Sequence, residues 1–392
     1  MNTKVFLYLS VFCISLDSYF RLRGIVGIGF LLIYLLTIKF EAKFDTKFLV
    51  PIFLMVAGFI VYTCLAFFFP NIYLQIPEDR ETFVFKIFDR FSLIILALMI
   101  FWSFNKSTYA LILRKVALFH IFYLLFQFSL YYGIGLKFDI LGMFGIEQRT
   151  SMDYSGSTVF RPAGLFWEPS NFAAYVLALY LPYLIKNSNF RKKDFLLPVS
   201  IILTLSSAAF LVGSLVLATM LLKSGLIKRP KVLITAIIVG LPLLYFGYNS
   251  QKDRFSDGLS DNANTILRTN LVNYAWESRL NNPILLIGGA GLYSYDLYIH
   301  KEEQYPYGRS IASIQDATFF VFTYLLTGVV GLFLLFLLIL NVKGFSNKLF
   351  VLTFMLTKIS FLFPIFLFFI YMVFEEKISR KKLADLEAKS LN

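Results

Sequence analysis

Residues 48–69 contain no charged side chain, and neither do residues 319–340. Each stretch reaches the ~20 consecutive apolar residues that an α-helix needs to cross the hydrocarbon core of a bilayer. Residues 91–104 with their flanks, and residues 116–132, follow the same pattern. The hydrophobic fraction of the 392-residue chain is 58% and its mean hydropathy is +0.70, whereas soluble domains are roughly 45–50% apolar. A water-soluble fold would have to hide more apolar surface than its interior can hold.

A net charge of +13 raises a nucleic-acid reading, which the distribution of the charges excludes. The basic residues form short clusters between apolar runs, the arrangement by which a multi-span protein sets its orientation. Cys13 and Cys64 both lie in apolar runs and imply neither a disulfide framework nor a metal site. The N-terminal apolar run imitates a signal peptide, but no small-residue cleavage site follows it. Cys13 comes after Phe12, where a lipoprotein site needs a small residue, so the run reads as an uncleaved first span.

The spacing predicts an all-α polytopic membrane protein of about 12 transmembrane helices. They are placed near 5–20, 24–38, 48–69, 84–104, 115–132, 171–185, 195–207, 209–222, 232–248, 316–340, 347–358 and 361–374. Two apolar blocks, 195–222 and 349–374, fit either one long tilted helix or two short ones. Charge favours two. The first block lies between Arg191, Lys192 and Lys193 on one side and Lys228 and Arg229 on the other. Short basic loops belong on the cytoplasmic side, so the block enters and leaves there, turning near Ser206 and Ser207. The second lies between Lys343 and Lys348 and the triplet Arg380, Lys381 and Lys382, and turns near Lys358–Ser360.

Both termini, including a charged tail at 375–392, are then cytoplasmic, as are 39–47 and 105–115. Residues 71–82, 133–170 and 249–315 are outside. The last is the longest polar stretch. Within it, Ile266, Leu267, Leu271, Ala275 and Leu280 mark an amphipathic helix, broken by Pro283 and by Gly288, Gly289 and Gly291.

No soluble-enzyme motif stands out. His120 and His300 are the only histidines, too few for a histidine-based metal site or a catalytic triad. His120 reads as a packing residue, and Asp17, in the first span, has no assigned role. The glycines at 288–291 lack the Lys-Ser or Lys-Thr pair of a phosphate loop and read as a turn. The informative segment is 160–175, FRPAGLFWEPSNFAAY. It places Arg161 and Glu168 at the membrane edge, where each needs a partner or water. Pro169 suits the first turn of a helix, making Glu168 or Ser170 its cap. The plain alternative is that Glu168 only caps and Arg161 only reaches to headgroups.

In Arg161, Gly164, Leu165, Phe166, Glu168, Pro169 and Ser170 the segment resembles the Arg-x-x-Gly-Leu-Phe-x-Glu-Pro-Ser signature of bacterial O-antigen polymerases (Wzy-type) and related capsule polymerases. These are grouped with the O-antigen ligases. Arg268, Asn282, Pro283, Gly289 and Gly291 resemble a second pattern of that superfamily, an arginine followed by an amphipathic helix, Asn-Pro and a Gly-x-Gly turn. The stretch 315–332, ending in Gly328 and Gly331, is similar to a third. It begins Gln315-Asp316, without the ligase-type histidine, a departure that favours polymerase over ligase.

The resemblance implies a GT-C-like glycosyltransferase architecture with a large periplasmic loop in a bacterial inner membrane. It implies a donor glycan on undecaprenyl pyrophosphate, attacked at its anomeric carbon by a hydroxyl of an acceptor repeat unit. Arg161 and Arg268 are then the first candidates to stabilise the departing pyrophosphate, with Arg254 and Arg90 as further contacts. Glu168 and Asp316 are candidate bases, although an acidic residue opening a helix also simply suits its dipole. Trp167, Ser170, Tyr274 and Tyr293 are candidate sugar contacts. Tyr154, Trp276, Tyr295, Tyr298, Tyr305 and Tyr307 also fall in or beside outer loops, where interfacial anchoring is the plainer role. The expected partners are membrane lipid and a chain-length-regulating copolymerase, with no nucleic acid. The analogy requires no metal or other cofactor. An O-antigen ligase is the nearest rival. A lipid-linked oligosaccharide flippase or other transporter would show two related halves and short loops, which this chain lacks.

Overall fold

The computed structural model describes residues 4–16, 21–37, 106–144, 148, 150–154, 157–226, 270–273, 276–277, 279–291 and 317–369, with residue 245 and scattered positions between 56 and 99. The expected spans at 48–69 and 84–104 lie mostly, and that at 232–248 almost wholly, outside these residues. The described chain is mostly helical: α1 (Lys4–Ser15), α2 (Arg21–Thr37), α3 (Lys106–Ile134), α4 (Pro169–Lys186), α5 (Leu196–Leu203), α6 (Ser207–Lys223), α7 (Pro283–Gly288), α8 (Phe319–Asn341) and α9 (Phe345–Met355). The expectation of an all-α chain needs one correction. Antiparallel strands β1 (Ser151–Tyr154) and β2 (Ser157–Phe160) pair Ser151 with Phe160 and Tyr154 with Ser157. Here the local backbone hydrogen bonds are made in a short ladder, a state that hydropathy along the chain does not report.

Helix α4 is the hub. Its residues from Phe172 to Ile185 are all buried, because a helix apolar on every side is stable only when neighbours enclose it. Helices α3, α5, α6 and α9 pack around it. Helix α3 runs antiparallel to it. Near one end, Arg114 of α3 meets Asp194, just beyond the C-terminus of α4. At the other end, the Tyr132 hydroxyl donates to the carbonyl of Phe160, ahead of α4, at 2.7 Å.

The apolar block after α4 is two helices. Helix α5 ends at Leu203, the chain turns through Thr204, Leu205 and Ser206, and α6 follows. Leu205 adopts φ 53° at the turn. Lys223, closing α6, donates through Nζ to the carbonyls of Leu184 and, at 2.7 Å, Ile185. It thereby satisfies carbonyls that the last turn of α4 leaves open. The hairpin thus enters and leaves at the same end of the bundle.

The second block behaves alike. Lys223 Nζ lies 5.8 Å from the Phe350 ring, which fixes the early part of α9 at that end. The chain turns at the far end, between Leu356 and Phe363, and residues 364–369 are again helical. They bring Phe368 back to Tyr109, near the start of α3, with ring centres 6.1 Å apart.

Two other expectations change. The first helix stops at Ser15, short of residue 20. Its last turn is drawn into a local bond from the Ser15 hydroxyl to the Phe12 carbonyl at 2.7 Å. The same hydroxyl lies 2.9 Å from Nε2 of His120, a buried ring that stacks on Phe12 and packs against Phe166. The tenth expected span, in turn, is not one continuous helix: α8 breaks at Gly328, with φ 61° and ψ −155°.

Among the described residues, 109–134 and α8 are long and apolar enough to cross a membrane. Both leave apolar surface uncovered. On α3, Leu111, Phe119, Phe122 and Phe126 are exposed, and on α8 Val329, Val330, Phe333, Leu334 and Phe336 are 48–58% exposed. Apolar patches of this extent mark a surface that meets something other than water.

The Arg114–Asp194 pair is sealed, with side-chain exposures of 7% and 0%. Asp194 also accepts from the Tyr180 hydroxyl at 2.6 Å, the Arg191 amide at 2.6 Å and, more weakly, the Tyr183 hydroxyl at 3.4 Å. The Arg114 guanidinium lies 4.3 Å from the centre of the Tyr183 ring. Removing one partner of such a buried pair costs about 3–5 kcal/mol, while replacing both by apolar groups costs far less. Asp194→Leu should therefore sharply lower the melting temperature of the detergent-purified protein. Arg114→Met combined with Asp194→Leu should recover most of the loss.

Candidate functional site

The segment leading into α4 is held by buried amides. Gln127, in α3, donates to the Phe138 carbonyl at 2.9 Å and accepts from the Gly164 amide at 3.0 Å. Gln148 donates to the carbonyls of Gly164 and Phe166 at 2.9 and 2.8 Å. The Arg161 amide donates to the Thr150 carbonyl at 2.6 Å. Gly164 has φ +62°, and a Cβ there would lie 3.2 Å from the Phe172 ring. Phe166 is fully buried against His120, Phe172 and Tyr175. Each buried backbone group fixed in this way removes one way for the loop to move.

Arg161 is only 8% exposed. Glu168 is the N-cap residue of α4 by backbone geometry, followed by Pro169 at the first helical position. Its side chain makes no capping bond. Oε1 instead accepts from the Ser170 hydroxyl at 2.7 Å and from Nζ of Lys358 at 2.8 Å. The plain alternative, that Glu168 only caps, does not show in a side-chain capping bond. Its carboxylate meets an ammonium supplied from the turn after α9, and that charge-assisted bond wins over the helix amides.

Lys358 is fixed in turn. The neighbouring Thr357 carbonyl accepts from the Phe319 amide at 3.0 Å, which ties the turn to the start of α8. Side-chain exposures are 8% for Lys358 and 20% for Glu168, and the neighbouring Trp167 is 36% exposed. The lysine is thus as buried as Arg114, and only the carboxylate side of this pair is partly open, whereas Asp194 is fully covered. Sequence reading placed Lys358 at a turn without giving it a partner. Gln127 and Gln148 passed unnoticed, although an amide inside an apolar run such as 116–132 is itself a signal.

Of the other sequence candidates, Arg268, Asp316, Arg254, Arg90, Tyr274 and Tyr293 lie outside the described residues, as do Asp17 and His300. Of the described candidates, Arg161, Trp167, Glu168 and Ser170 lie on one segment, where Glu168 meets Ser170 and, from 190 residues away, Lys358.

The two glycine-bearing stretches meet each other. The Asn282 side chain caps α7, accepting from the amides of Ile284 and Leu285 at 3.1 and 3.4 Å. Pro283 opens this helix, as its fixed φ allows. Beyond it the chain crosses the break in α8. The amides of Ala290 and Gly291 donate to the carbonyls of Leu325 and Leu326, each at 2.9 Å, and the Arg279 guanidinium donates to Leu325 at 2.8 Å. These are carbonyls that a broken helix cannot satisfy internally. A Cβ on Gly289 would lie 2.4 Å from the Leu326 carbonyl carbon, and one on Gly328 2.5 Å from the Ile287 carbonyl oxygen. Arg279 is 1% exposed, a buried arginine that the pattern did not single out.

The amphipathic reading of 266–280 is corrected at one position. Leu271 is buried, but Leu280 is 55% exposed and shares an exposed row with Val272 and Trp276. These three recur every four residues and so lie on one helix face, to which Leu271 does not belong.

No family model matches the chain, and no curated protein or solved structure does either.

Gly328→Ala should clash with backbone that cannot yield and abolish the monodisperse peak in detergent size exclusion. Gly133→Ala, in α3 with nothing within 4 Å of the added carbon, should be neutral or stabilise by up to ~1 kcal/mol.

Proposed function

We propose that this chain is a polytopic membrane protein of about 12 spans that polymerises lipid-linked oligosaccharide repeat units at the outer face of a bacterial inner membrane. The observation that carries the reading is the Glu168 side chain. It leaves its own helix uncapped to meet Ser170 and Lys358, within the segment that resembles the polymerase signature. Arg161 is buried seven residues earlier on the same segment.

The orientation of the bundle supports the setting. Arg114, Arg191 and Lys223 gather at the end where α4 finishes, and that end is cytoplasmic by the positive-inside rule. Glu168, Lys358 and the start of α8 fall at the opposite, outer end. The exposed apolar bands of α3 and α8 then face lipid.

In this reading a hydroxyl of one repeat unit attacks the anomeric carbon of a glycan carried on undecaprenyl pyrophosphate. The bond from that carbon to the pyrophosphate oxygen breaks, and its electron pair leaves with the lipid pyrophosphate. Arg161 and Arg268 stabilise the growing negative charge, with Arg254 and Arg90 as further contacts. Glu168 or Asp316 takes the hydroxyl proton. Trp167, Ser170, Tyr274 and Tyr293 orient the sugars, and a copolymerase sets chain length.

In cells that make normal amounts of protein, Arg161→Ala and Arg268→Ala should each remove long surface glycan from gels while leaving single repeat units on the lipid core. Continued synthesis of long glycan would overturn the assignment of those arginines. Loss of the single repeats as well would indicate a ligase.

A further inference from the structure

We infer that Lys358 is the cation that receives the diphosphate of the lipid-linked donor, and that its pairing with Glu168 is the resting state of the site. The inference rests on the polymerase reading above and adds a residue to it.

Among the described residues, the two ion pairs that join distant parts of the chain differ in kind. Asp194 is wholly buried and receives four groups at once, as a permanent fastening does. Glu168 is one-fifth exposed and lies beside the partly exposed Trp167. Its two donors, the Ser170 hydroxyl and Lys358 Nζ, converge on Oε1. A carboxylate serving α4 alone would bond an amide of the first helical turn, but there the Asn171 amide donates to the Glu168 backbone carbonyl at 3.1 Å and the side chain makes no capping bond. Glu168 forgoes that bond, so its position is better explained by the lysine than by the helix.

Lys358 has the properties of a phosphate contact. An ammonium is a compact point charge with three rotatable donors on a flexible stem, and it can move from one anion to another within a short radius. A diphosphate carries more charge than one carboxylate and draws the ammonium to itself. Release of Lys358 removes the ammonium from Glu168, whose carboxylate keeps the Ser170 hydroxyl on Oε1 and becomes more basic toward the proton of the attacking hydroxyl. The new bond joins that hydroxyl oxygen to the anomeric carbon. The carbon–oxygen bond to the diphosphate breaks, its electrons stay on the diphosphate, and Lys358 offsets the added charge. Binding of the donor thus frees the base.

The test uses the full-length protein in phosphatidylcholine nanodiscs with inorganic pyrophosphate as probe, read by calorimetry and by thermal shift. Wild type should bind it. Lys358→Ala should weaken binding about tenfold or more, the loss of one charge-assisted hydrogen bond. Glu168→Gln should bind more tightly than wild type, because the competing carboxylate is gone, yet should not extend glycan. If Lys358→Ala does not fold, the neutral pair Glu168→Gln with Lys358→Met replaces it and should show the same weakened binding.

Unchanged affinity in the lysine variants, or weaker binding in Glu168→Gln, would overturn the inference. So would abolition of pyrophosphate binding by phosphatidylglycerol in the nanodisc, since the lysine would then be reading lipid headgroups. The polymerase reading fails separately. Binding through Lys358 without glycan extension by wild type sinks that reading and keeps the cation assignment. Normal extension by Lys358→Ala keeps the polymerase and sinks the lysine.

Discussion

Every residue of α4 from Phe172 to Ile185 is buried, so the helix has no polar face on which to rest against water. Among the described residues, four other helices pack around it, and its two ends are where it meets charge. At the C-terminal end Lys223 closes the open carbonyls and Asp194 gathers Arg114 and two tyrosines. At the N-terminal end Glu168 takes Lys358 from the turn after α9. The same enclosure that makes α4 a core element thus delivers a carboxylate and an ammonium to one point, although they are far apart in sequence. Burial strengthens their attraction relative to water, and only the carboxylate, one-fifth exposed, keeps contact with solvent.

The break in α8 follows a second constraint. A helix interrupted inside an apolar bundle leaves carbonyls that cost free energy unless something donates to them. The chain around Gly289–Gly291 supplies the donors, and Arg279 adds one more. The approach is close enough that neither Gly289 nor Gly328 can carry a side chain. Residues Ala290 and Gly291 are therefore anchored to that helix through backbone.

Much of the architecture was legible in the sequence because its cause is one-dimensional. Residues 115–132 and 171–185 read as helices from their uncharged runs, and α3 and α4 cover them. The turn at Thr204–Ser206 follows from basic clusters on both sides of one block. What escaped depends on three-dimensional neighbours. Hydropathy treats 316–340 as one span, since a glycine within leucines and phenylalanines barely lowers the average, while the actual break at Gly328 depends on the partner loop. The β1–β2 ladder is too short to register. Glu168 was visible as a polar residue before an apolar helix, a position that cap chemistry explains without further help. That its partner is Lys358 lies in the packing of α9 against α4, which no spacing along the chain encodes. Gln127, Gln148 and Arg279 are the instructive omissions: each polar group sits among apolar neighbours, and each proves to hold a backbone carbonyl.

The proposed function requires that the Glu168 end of α4 and its Lys186 end lie on opposite faces of a membrane. The most direct measurement is labelling of single cysteines by a membrane-impermeant maleimide, in a background where Cys13 and Cys64 are serine. Trp167→Cys and Lys192→Cys, both at exposed or partly exposed positions, report the two ends. The expected result is labelling of Trp167→Cys in intact spheroplasts, and of Lys192→Cys only after the membrane is opened. Labelling of both from the same side would contradict the arrangement and, with it, the placing of the site at the outer face.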